Sequence, residues 1–167
     1  MKRFSTLCAA LVLALPASTA LHASEAEFLQ QLSGNWTGGG QVRLSPDASP
    51  VNVSCDFDGQ STDVSASLDG TCTGMVLFSR QVGAELSLQN GSYVGSYTGS
   101  RRGTGELQGT RSGSSLDLTL QWPGHPVASM TLASPAEGRM VLTTIEPHPE
   151  TGEQVVTAQL ELQRQKR

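Results

Sequence analysis

The chain has 167 residues, 18 of them glycine, and only 16% are charged. The length predicts one domain, or one domain with a processing segment, and the composition argues against a helical bundle or coiled coil, which is rich in Ala, Glu, Lys and Leu. The net charge of −4 and the lack of a basic run argue against nucleic-acid binding.

The N-terminus has the pattern of a secretory signal peptide that ends at Ala23. Lys2 and Arg3 supply its positive region, 7–15 is its apolar run, and small residues precede the end of the segment. The apolar run is too short to span a bilayer. We therefore expect residues 1–23 to be removed as a signal peptide.

The mature chain, 24–167, is expected to be a single barrel domain without a membrane span, and a monomer. Because the signal is short, we expect a bacterial protein, either periplasmic or secreted. Cleavage after Ala20 or Ala26 remains an alternative. Loss of the two basic residues of the signal would change the net charge from −4 to −6.

One short helix is predicted at the start of the mature chain. Ser24 and Glu27 have the spacing of a capping box, in which two side chains bond the free backbone amides at a helix N-terminus. The helix is predicted over 25–32, and Ser33-Gly34 ends it.

The rest of the chain alternates apolar and polar residues with period two, which predicts β-strands. Asn90-Gly91 is the strongest hairpin signal, and the weaker turn signals are Asp58-Gly59, Asp69-Gly70, Ser112-Gly113 and Thr151-Gly152. We predict an all-β fold, a single antiparallel β-barrel of about 8–11 strands preceded by one short helix. The candidate strands are 35–44, 51–57, 62–68, 72–80, 82–89, 92–98, 104–111, 114–122, 127–133, 139–145 and 153–164.

The mature chain has two cysteines, Cys55 and Cys72, and both fall on apolar strand faces. In an oxidising compartment they have one possible pairing, and closing this loop of roughly 18 residues contributes roughly 3 kcal/mol. If the predicted strand 62–68 lay between their strands, the Cα atoms would be about 9–10 Å apart, too far for a bond in a flat sheet. A closed barrel or a bulge would permit the bond.

The apolar face of the last predicted strand begins at Val156 and ends in Arg164. An arginine at that position is stabilised by an aromatic ring or by several carbonyl groups. The alternative is a solvated C-terminus, because Gln163, Gln165 and Lys166 surround it.

A short helix that leads into Gly34-Asn35-Trp36, with a basic residue at the end of the last strand, resembles the calycin pattern of lipocalins, avidins and bacterial metalloprotease inhibitors. In that superfamily the Gly-x-Trp tryptophan closes one end of the barrel, and a late Arg or Lys packs over it. The resemblance implies that Trp36 and Arg164 meet at barrel closure. It covers the two ends of the mature chain and the strand pattern, whereas the lipocalin motifs of the middle of the chain are missing.

The sequence has no pattern typical of catalysis or of metal binding. His125 and His148 are flanked by proline, which is typical of surface turns, and Asp56, Asp58 and Asp63 lack the order and the glutamate of a calcium loop. A nucleophile elbow, an HExxH helix and a phosphate loop are missing. We therefore expect no enzyme activity, no metal and no cofactor.

Three aromatic residues are candidates to face a ligand. Tyr93 and Tyr97 share a strand face, and Trp122 ends another apolar face. These rings could orient a small molecule, or the tyrosines could cover the backbone of strand glycines at a barrel bend. Arg101-Arg102 at a predicted hairpin tip could meet an anionic partner, although a solvated tip is the simpler interpretation.

Three functions remain open from the sequence. The first is a non-enzymatic binding protein for a small apolar or amphipathic ligand, based on the aromatic and glycine residues of the inward faces. The second is an interaction module such as an inhibitor of a secreted metalloprotease, in which the segment 24–32 would reach into the protease cleft. The third is a structural envelope protein without a ligand.

Overall fold

The computed structural model describes residues 18–74 and 78–166, and this part of the chain forms one helix followed by ten β-strands. The elements in chain order are α1 Ser18–Gln31, β1 Gly34–Val42, β2 Val51–Ser61, β3 Ser65–Gly74, β4 Phe78–Gln89, β5 Ser92–Ser100, β6 Gly103–Ser112, β7 Ser115–Gln121, β8 Ala128–Ala136, β9 Arg139–Pro147 and β10 Gln154–Arg164.

The ten strands form one closed antiparallel barrel. Each strand pairs with its neighbours in the chain, and β1 pairs with β10 to close the ring. This arrangement confirms the predicted all-β barrel with a short helix before it. Because no sheet edge is left unpaired, the backbone groups of every described strand have partners on both sides.

The ten strands lie within the predicted number of about 8–11, although eleven candidate segments were proposed. Three strands, β2 to β4, take the place of four candidates, 51–57, 62–68, 72–80 and 82–89, because Asp58-Gly59 and Asp69-Gly70 lie inside β2 and β3 instead of forming turns. Gly70 lies opposite Phe57, and a Cβ on Gly70 would come within 2.5 Å of the Phe57 ring. The glycine makes room for this inward ring, which is a common role of glycine within a strand.

The hairpin signal at Asn90-Gly91 was read correctly. Both residues have positive φ angles, 52° and 80°, and they connect β4 to β5. Two positive φ angles in a two-residue loop are the geometry that Asn-Gly adopts most readily. Ser112-Gly113 likewise lies at a hairpin turn, between β6 and β7.

The disulfide joins two neighbouring strands. Cys55 of β2 and Cys72 of β3 lie directly opposite each other, with their Cα atoms 4.1 Å apart. The expected intervening strand does not exist, because 65–68 and Cys72 are parts of the same strand β3. The bond therefore crosses a single strand pair, and it needs neither the barrel curvature nor the bulge that a three-strand arrangement would have required.

The helix covers one end of the barrel, which we call the closed end. Three apolar side chains of the helix and the turn after it, Phe28, Leu29 and Leu32, are at most 3% exposed. They fill the space between the ends of the strands, so hydrophobic burial stabilises this end of the barrel.

The helix is longer than the sequence predicted. It begins at Ser18, so Ser24 is not its N-cap and the predicted capping box was wrong. The residues before Ser24 include Ala20, Leu21 and Ala23, which have high helix propensity. The predicted charged and apolar regions of the signal peptide lie outside the described residues. No helix in the described part is long and apolar enough to cross a membrane.

Trp36 and Arg164 meet at the closed end. They are directly paired between β1 and β10, and the guanidinium carbon lies 4.9 Å from the centre of the indole ring. The Trp36 indole N–H donates to the Leu32 carbonyl at 2.9 Å, and Arg164 donates to the Gln31 carbonyl. The pair thus links the first strand, the last strand and the C-terminus of the helix.

The predicted inward face of the last strand was wrong at its beginning. The pairing of β10 with β9 shifts between Val156 and Ala158, which places a β-bulge at Thr157. A bulge changes which side chains point inward. As a result Val156 is 45% exposed and Thr157 is buried, whereas the face from Ala158 to Arg164 has the predicted parity.

The disulfide predicts a measurable loss of stability when it is removed. In the Cys55→Ala/Cys72→Ala double variant, the free energy of unfolding in urea should fall by about 2–4 kcal/mol, because the unfolded chain is no longer cross-linked. The matched control is Ser54→Ala/Thr73→Ala, an outward-facing pair on the same two strands, which should have little effect. Two titratable thiols in the folded, non-reduced protein would contradict the disulfide.

The contact at the closed end predicts coupling between Trp36 and Arg164. Trp36→Ala should lower the free energy of unfolding by about 3–5 kcal/mol, and Arg164→Ala by about 1–2 kcal/mol. Arg164→Lys should recover only part of that loss, because an ammonium group cannot stack flat on the ring. A double-mutant cycle in urea measures the coupling. Arg139→Ala, which breaks an exposed ion pair with Glu161, is the control, and a coupling energy of zero would contradict the closure role.

Candidate functional site

The end of the barrel opposite the helix, which we call the open end, contains a cavity of about 160 Å³. Its deep wall is apolar, and the residues of this wall include Leu120, Met130, Met140, Leu142 and Leu160. An apolar cavity of about 150 Å³ in another protein stays dry and binds benzene. The cavity at the open end therefore has room for about one six-membered ring.

The cavity lies at the open end because the closed half of the barrel is already filled. Leu32 enters that half from the helix side and packs among inward residues of the strands, which leaves a void of only about 30 Å³. No corresponding helix covers the open end in the part of the chain that the structure describes. The barrel is thus packed at one end and hollow at the other.

Trp122 forms one side of the cavity mouth. It follows β7 directly and is 3% exposed. The indole packs over Gly105 of β6, where a Cβ would come within 2.9 Å of Trp122 Nε1 and 2.6 Å of Leu120 Cδ1. The edge of the Tyr97 ring meets it with centroids 6.0 Å apart and planes at 79°, a favourable aromatic arrangement. The structure thus brings two predicted ligand-facing residues, Tyr97 and Trp122, together at the cavity.

The indole N–H of Trp122 is buried and finds no hydrogen-bond acceptor within 18–74 and 78–166. Leaving a buried donor without a partner costs about 1–3 kcal/mol. Trp36 differs, since its N–H donates to the Leu32 carbonyl. The unsatisfied donor lies in a residue that lines the cavity.

Arg102 closes over Trp122 from the β5–β6 turn. Its guanidinium carbon lies 5.0 Å from the centre of the indole ring, and its Nη1 donates to a Glu146 carboxylate oxygen at 2.5 Å. Both side chains of this ion pair are less than a quarter exposed. The interpretation of Arg101-Arg102 as a solvated tip was therefore wrong for Arg102, because its side chain packs on the Trp122 ring and pairs with Glu146.

The mouth of the cavity is rich in positive charge. Four arginines line it, and one acid, Glu146, accompanies them; the arginines are Arg43, Arg80, Arg101 and Arg102. Arg80 Nη1 donates to the Gly99 carbonyl at 2.9 Å, and Arg43 Nη1 donates to the Ala48 carbonyl at 2.6 Å. Because the whole chain has a net charge of −4, this concentration of arginines gives the mouth a sign opposite to that of the protein.

Burial raises the pKa of the Tyr97 phenol above its ordinary value. The nearby positive charge of Arg80 acts in the lowering direction, and the negative charge of Glu146 acts in the raising direction, but burial has the largest effect. Tyr97 therefore keeps its hydroxyl proton at neutral pH and can donate a hydrogen bond at the cavity mouth.

Tyr93, the third predicted ligand-facing residue, lies away from the cavity. Its side chain is buried at the closed end, where its hydroxyl donates to Glu25 Oε2 at 2.5 Å. Arg111 Nε donates to the other oxygen of Glu25 at 2.9 Å, and the guanidinium of Arg111 lies over the Phe28 ring. Tyr93 thus helps to fasten the helix to the barrel. Burial and the hydrogen bond to Glu25 both raise its pKa.

The histidines and acidic residues weighed as metal ligands do not come together. No group of three or more His, Cys, Asp or Glu side chains with the geometry of a metal site occurs among the described residues. His148 contacts Asp47 at 2.5 Å, and its Nδ1 accepts hydrogen bonds from the backbone of Glu150 and Thr151. These contacts order the β9–β10 loop.

Sequence reasoning missed Arg80 and Glu146. Each continues the parity of an inward strand face, Arg80 with Val82 in β4 and Glu146 with Thr144 in β9. A charged residue at the end of an apolar face was the signal that singled out Arg164 at the other end of the barrel. The same signal, applied to every strand, would have identified both residues of the mouth.

The chain is similar to known proteins in structure but not detectably in sequence. No protein-family model and no curated protein sequence matches the chain. The solved structure of Rv2717c from M. tuberculosis superposes with a TM-score of 0.66 at 13% identity, covering 85% of this chain and 98% of that one. The S-type phycobiliprotein lyase CPES from Guillardia theta superposes with a TM-score of 0.54 at 14% identity, covering 91% and 99%. At these identities the likeness shows a shared barrel fold.

The raised pKa values of the two tyrosines predict that the folded protein loses stability at alkaline pH. The chain has two tyrosines, and both have pKa values above the ordinary 10.0 in the folded state. Folding therefore keeps protons that the unfolded chain loses, so the stabilisation is complete below pH 10 and is lost as the pH rises above it. Urea midpoints should fall in that range, and the tyrosinate absorbance at pH 10 should be lower for the folded protein than for the unfolded chain. Tyr93→Phe and Tyr97→Phe should each remove part of this dependence, whereas ordinary titration of both residues in the folded protein would refute it.

Proposed function

We propose that the protein is a non-enzymatic binding protein that holds a small apolar or amphipathic ligand in the cavity at the open end. One observation carries this proposal: the barrel is filled and capped at the closed end, yet an apolar cavity of about 160 Å³ is left at the other. Packed protein interiors rarely leave a space of this size without a use for it.

The form of the cavity supports a ligand with two chemical parts. Its depth is lined by leucine and methionine, and its mouth by Tyr97, Trp122 and arginines. Ligand sites commonly combine an apolar wall with a few polar groups that set orientation. Methionine adapts to irregular shapes, so Met130 and Met140 can fit ligands of differing outline.

The protease-inhibitor alternative receives no support from the position of the segment 24–32. Phe28, Leu29 and Leu32 are buried against the barrel, and Glu25 is held by Tyr93 and Arg111. A segment that reached into a protease cleft would have to leave these contacts and expose apolar surface.

The chemistry of the cavity wall supports the non-enzymatic part of the proposal. Cys72, which lines the cavity, is in a disulfide with Cys55 and carries no thiol. The polar side chains at the wall are those of arginine, glutamate, serine, threonine and tyrosine, a set suited to orienting a ligand.

We further propose that the protein works in an oxidising compartment, periplasmic or extracellular. The Cys55–Cys72 disulfide supports this location, because such bonds persist outside the reducing cytosol. The signal-peptide pattern of residues 1–23 is consistent with it.

Toluene tests whether the cavity binds an apolar molecule, because its single ring matches the available volume. At several times its Kd, toluene should raise the free energy of unfolding by about 1 kcal/mol. Ala158→Met places a larger side chain at the cavity wall and should abolish this increase. The matched control, Ala136→Met, alters an exposed position at the other end of the barrel and should leave the increase unchanged.

The outcomes separate the candidate functions. A toluene effect that is lost only in Ala158→Met supports a ligand-binding barrel. If toluene has no effect, and native mass spectrometry of protein purified from its own cells shows no bound small molecule, the binding function is wrong and a structural envelope role takes its place.

A further inference from the structure

The chemistry of the cavity mouth narrows the class of ligand, and this step rests on the proposed binding function. The charged residues that line the cavity belong to the mouth, whereas its deep wall is apolar. A ligand seated with an apolar part inside would therefore place its outer end among the arginines.

The balance of charge at the mouth favours an anion. Four arginines and one glutamate line the cavity, in a chain whose net charge is negative. Positive side chains concentrated in a cleft attract and orient anionic ligands, and arginine is well suited to carboxylates because its planar donors match the two oxygens.

Arg102 is already positioned for such a contact. Its guanidinium is stacked on Trp122 and held by Glu146, so little side-chain freedom remains to be lost when a ligand binds. A guanidinium has five N–H donors, and the Glu146 carboxylate accepts from Nη1. Glu146 therefore occupies the kind of contact that a ligand carboxylate would make.

Two neutral donors lie beside these charges. Tyr97 and Trp122 are in edge-to-face contact and both line the cavity. The Trp122 N–H is buried and has no acceptor within the described chain. Its Nε1 has almost no accessible surface and lies against Gly105 of β6, so the Tyr97 hydroxyl is the neutral donor left for a ligand at the mouth.

We propose that the barrel binds a compact carboxylic acid, with a single ring or a short branched chain in the apolar cavity and its carboxylate at the mouth among Arg80, Arg102, Tyr97 and Trp122. The size limit comes from the cavity volume of about 160 Å³, and the head group from the arginines that line the mouth.

Three probes of equal ring size test the head group: phenylacetate, phenylacetamide and toluene, titrated calorimetrically into the purified full-length protein. Phenylacetate should bind at least about tenfold more tightly than phenylacetamide, because only the acid forms charge-assisted hydrogen bonds. Equal affinities for the acid and the amide would overturn the carboxylate proposal while leaving the binding function intact. Failure of all three probes to bind would overturn both.

Variants of the ion pair at the mouth provide a second test. Glu146→Gln removes a negative charge that competes with the ligand, so it should increase the affinity for phenylacetate by several-fold. Adding Arg102→Gln to that variant should then lower phenylacetate affinity by about tenfold. Glu161→Gln and Arg139→Gln change an ion pair of the same kind at the closed end and are the controls. Unchanged phenylacetate affinity in both mouth variants would contradict the proposal.

The two indole N–H signals in NMR spectra show at which end of the barrel a ligand binds. The chain has two tryptophans, and the N–H of Trp36 is already hydrogen-bonded at the closed end. Phenylacetate should shift the Trp122 indole signal, because Trp122 lines the cavity, and leave the Trp36 signal in place. If phenylacetate binds and the Trp122 signal stays where it was, the ligand does not occupy the proposed site.

Discussion

The pairing of β1 with β10 is the constraint on which the rest of the structure depends. These two strands are the farthest apart in the chain, and their hydrogen bonds turn a row of ten strands into a closed ring. Arg164 lies over Trp36 at this seam, and Trp36 donates to the carbonyl of Leu32 after the helix. One contact therefore joins the first strand, the last strand and the helix, and it determines which end of the barrel is closed.

The closed end in turn determines where the cavity lies. A barrel of this size has more interior volume than ten strands of ordinary side chains fill. The helix residues Phe28, Leu29 and Leu32 occupy the surplus at one end, while the other end retains its cavity. The Cys55–Cys72 disulfide holds the wall between β2 and β3, and Cys72 itself lines the cavity. The disulfide thus lies in the wall of the cavity.

The sequence was sufficient for the fold class and insufficient for the details of single positions. Period-two alternation predicts the strands because one face of each is buried, but Asp-Gly pairs inside β2 and β3 looked like turns. Gly70 is there to accommodate Phe57, a cross-strand contact that no local pattern reveals. A local sequence pattern likewise does not reveal the bulge at Thr157. Tyr93 and Tyr97 share one strand face, but Tyr93 lies at the closed end of the barrel and Tyr97 lies at the cavity. The sequence does not show at which end of the barrel each residue lies.

Each end of the barrel has an arginine stacked on a tryptophan, but the hydrogen bonding of the two indole N–H groups differs. Arg164 lies 4.9 Å from the Trp36 ring, and Arg102 lies 5.0 Å from the Trp122 ring. At the closed end, the indole N–H has a carbonyl acceptor within the chain. At the open end, the indole N–H has none among the described residues. Arg164 Nε at the closed end is likewise buried without an acceptor among the described residues. The stacked arginine is part of the closure of the ring at one end, and at the other it lies at the mouth of the cavity.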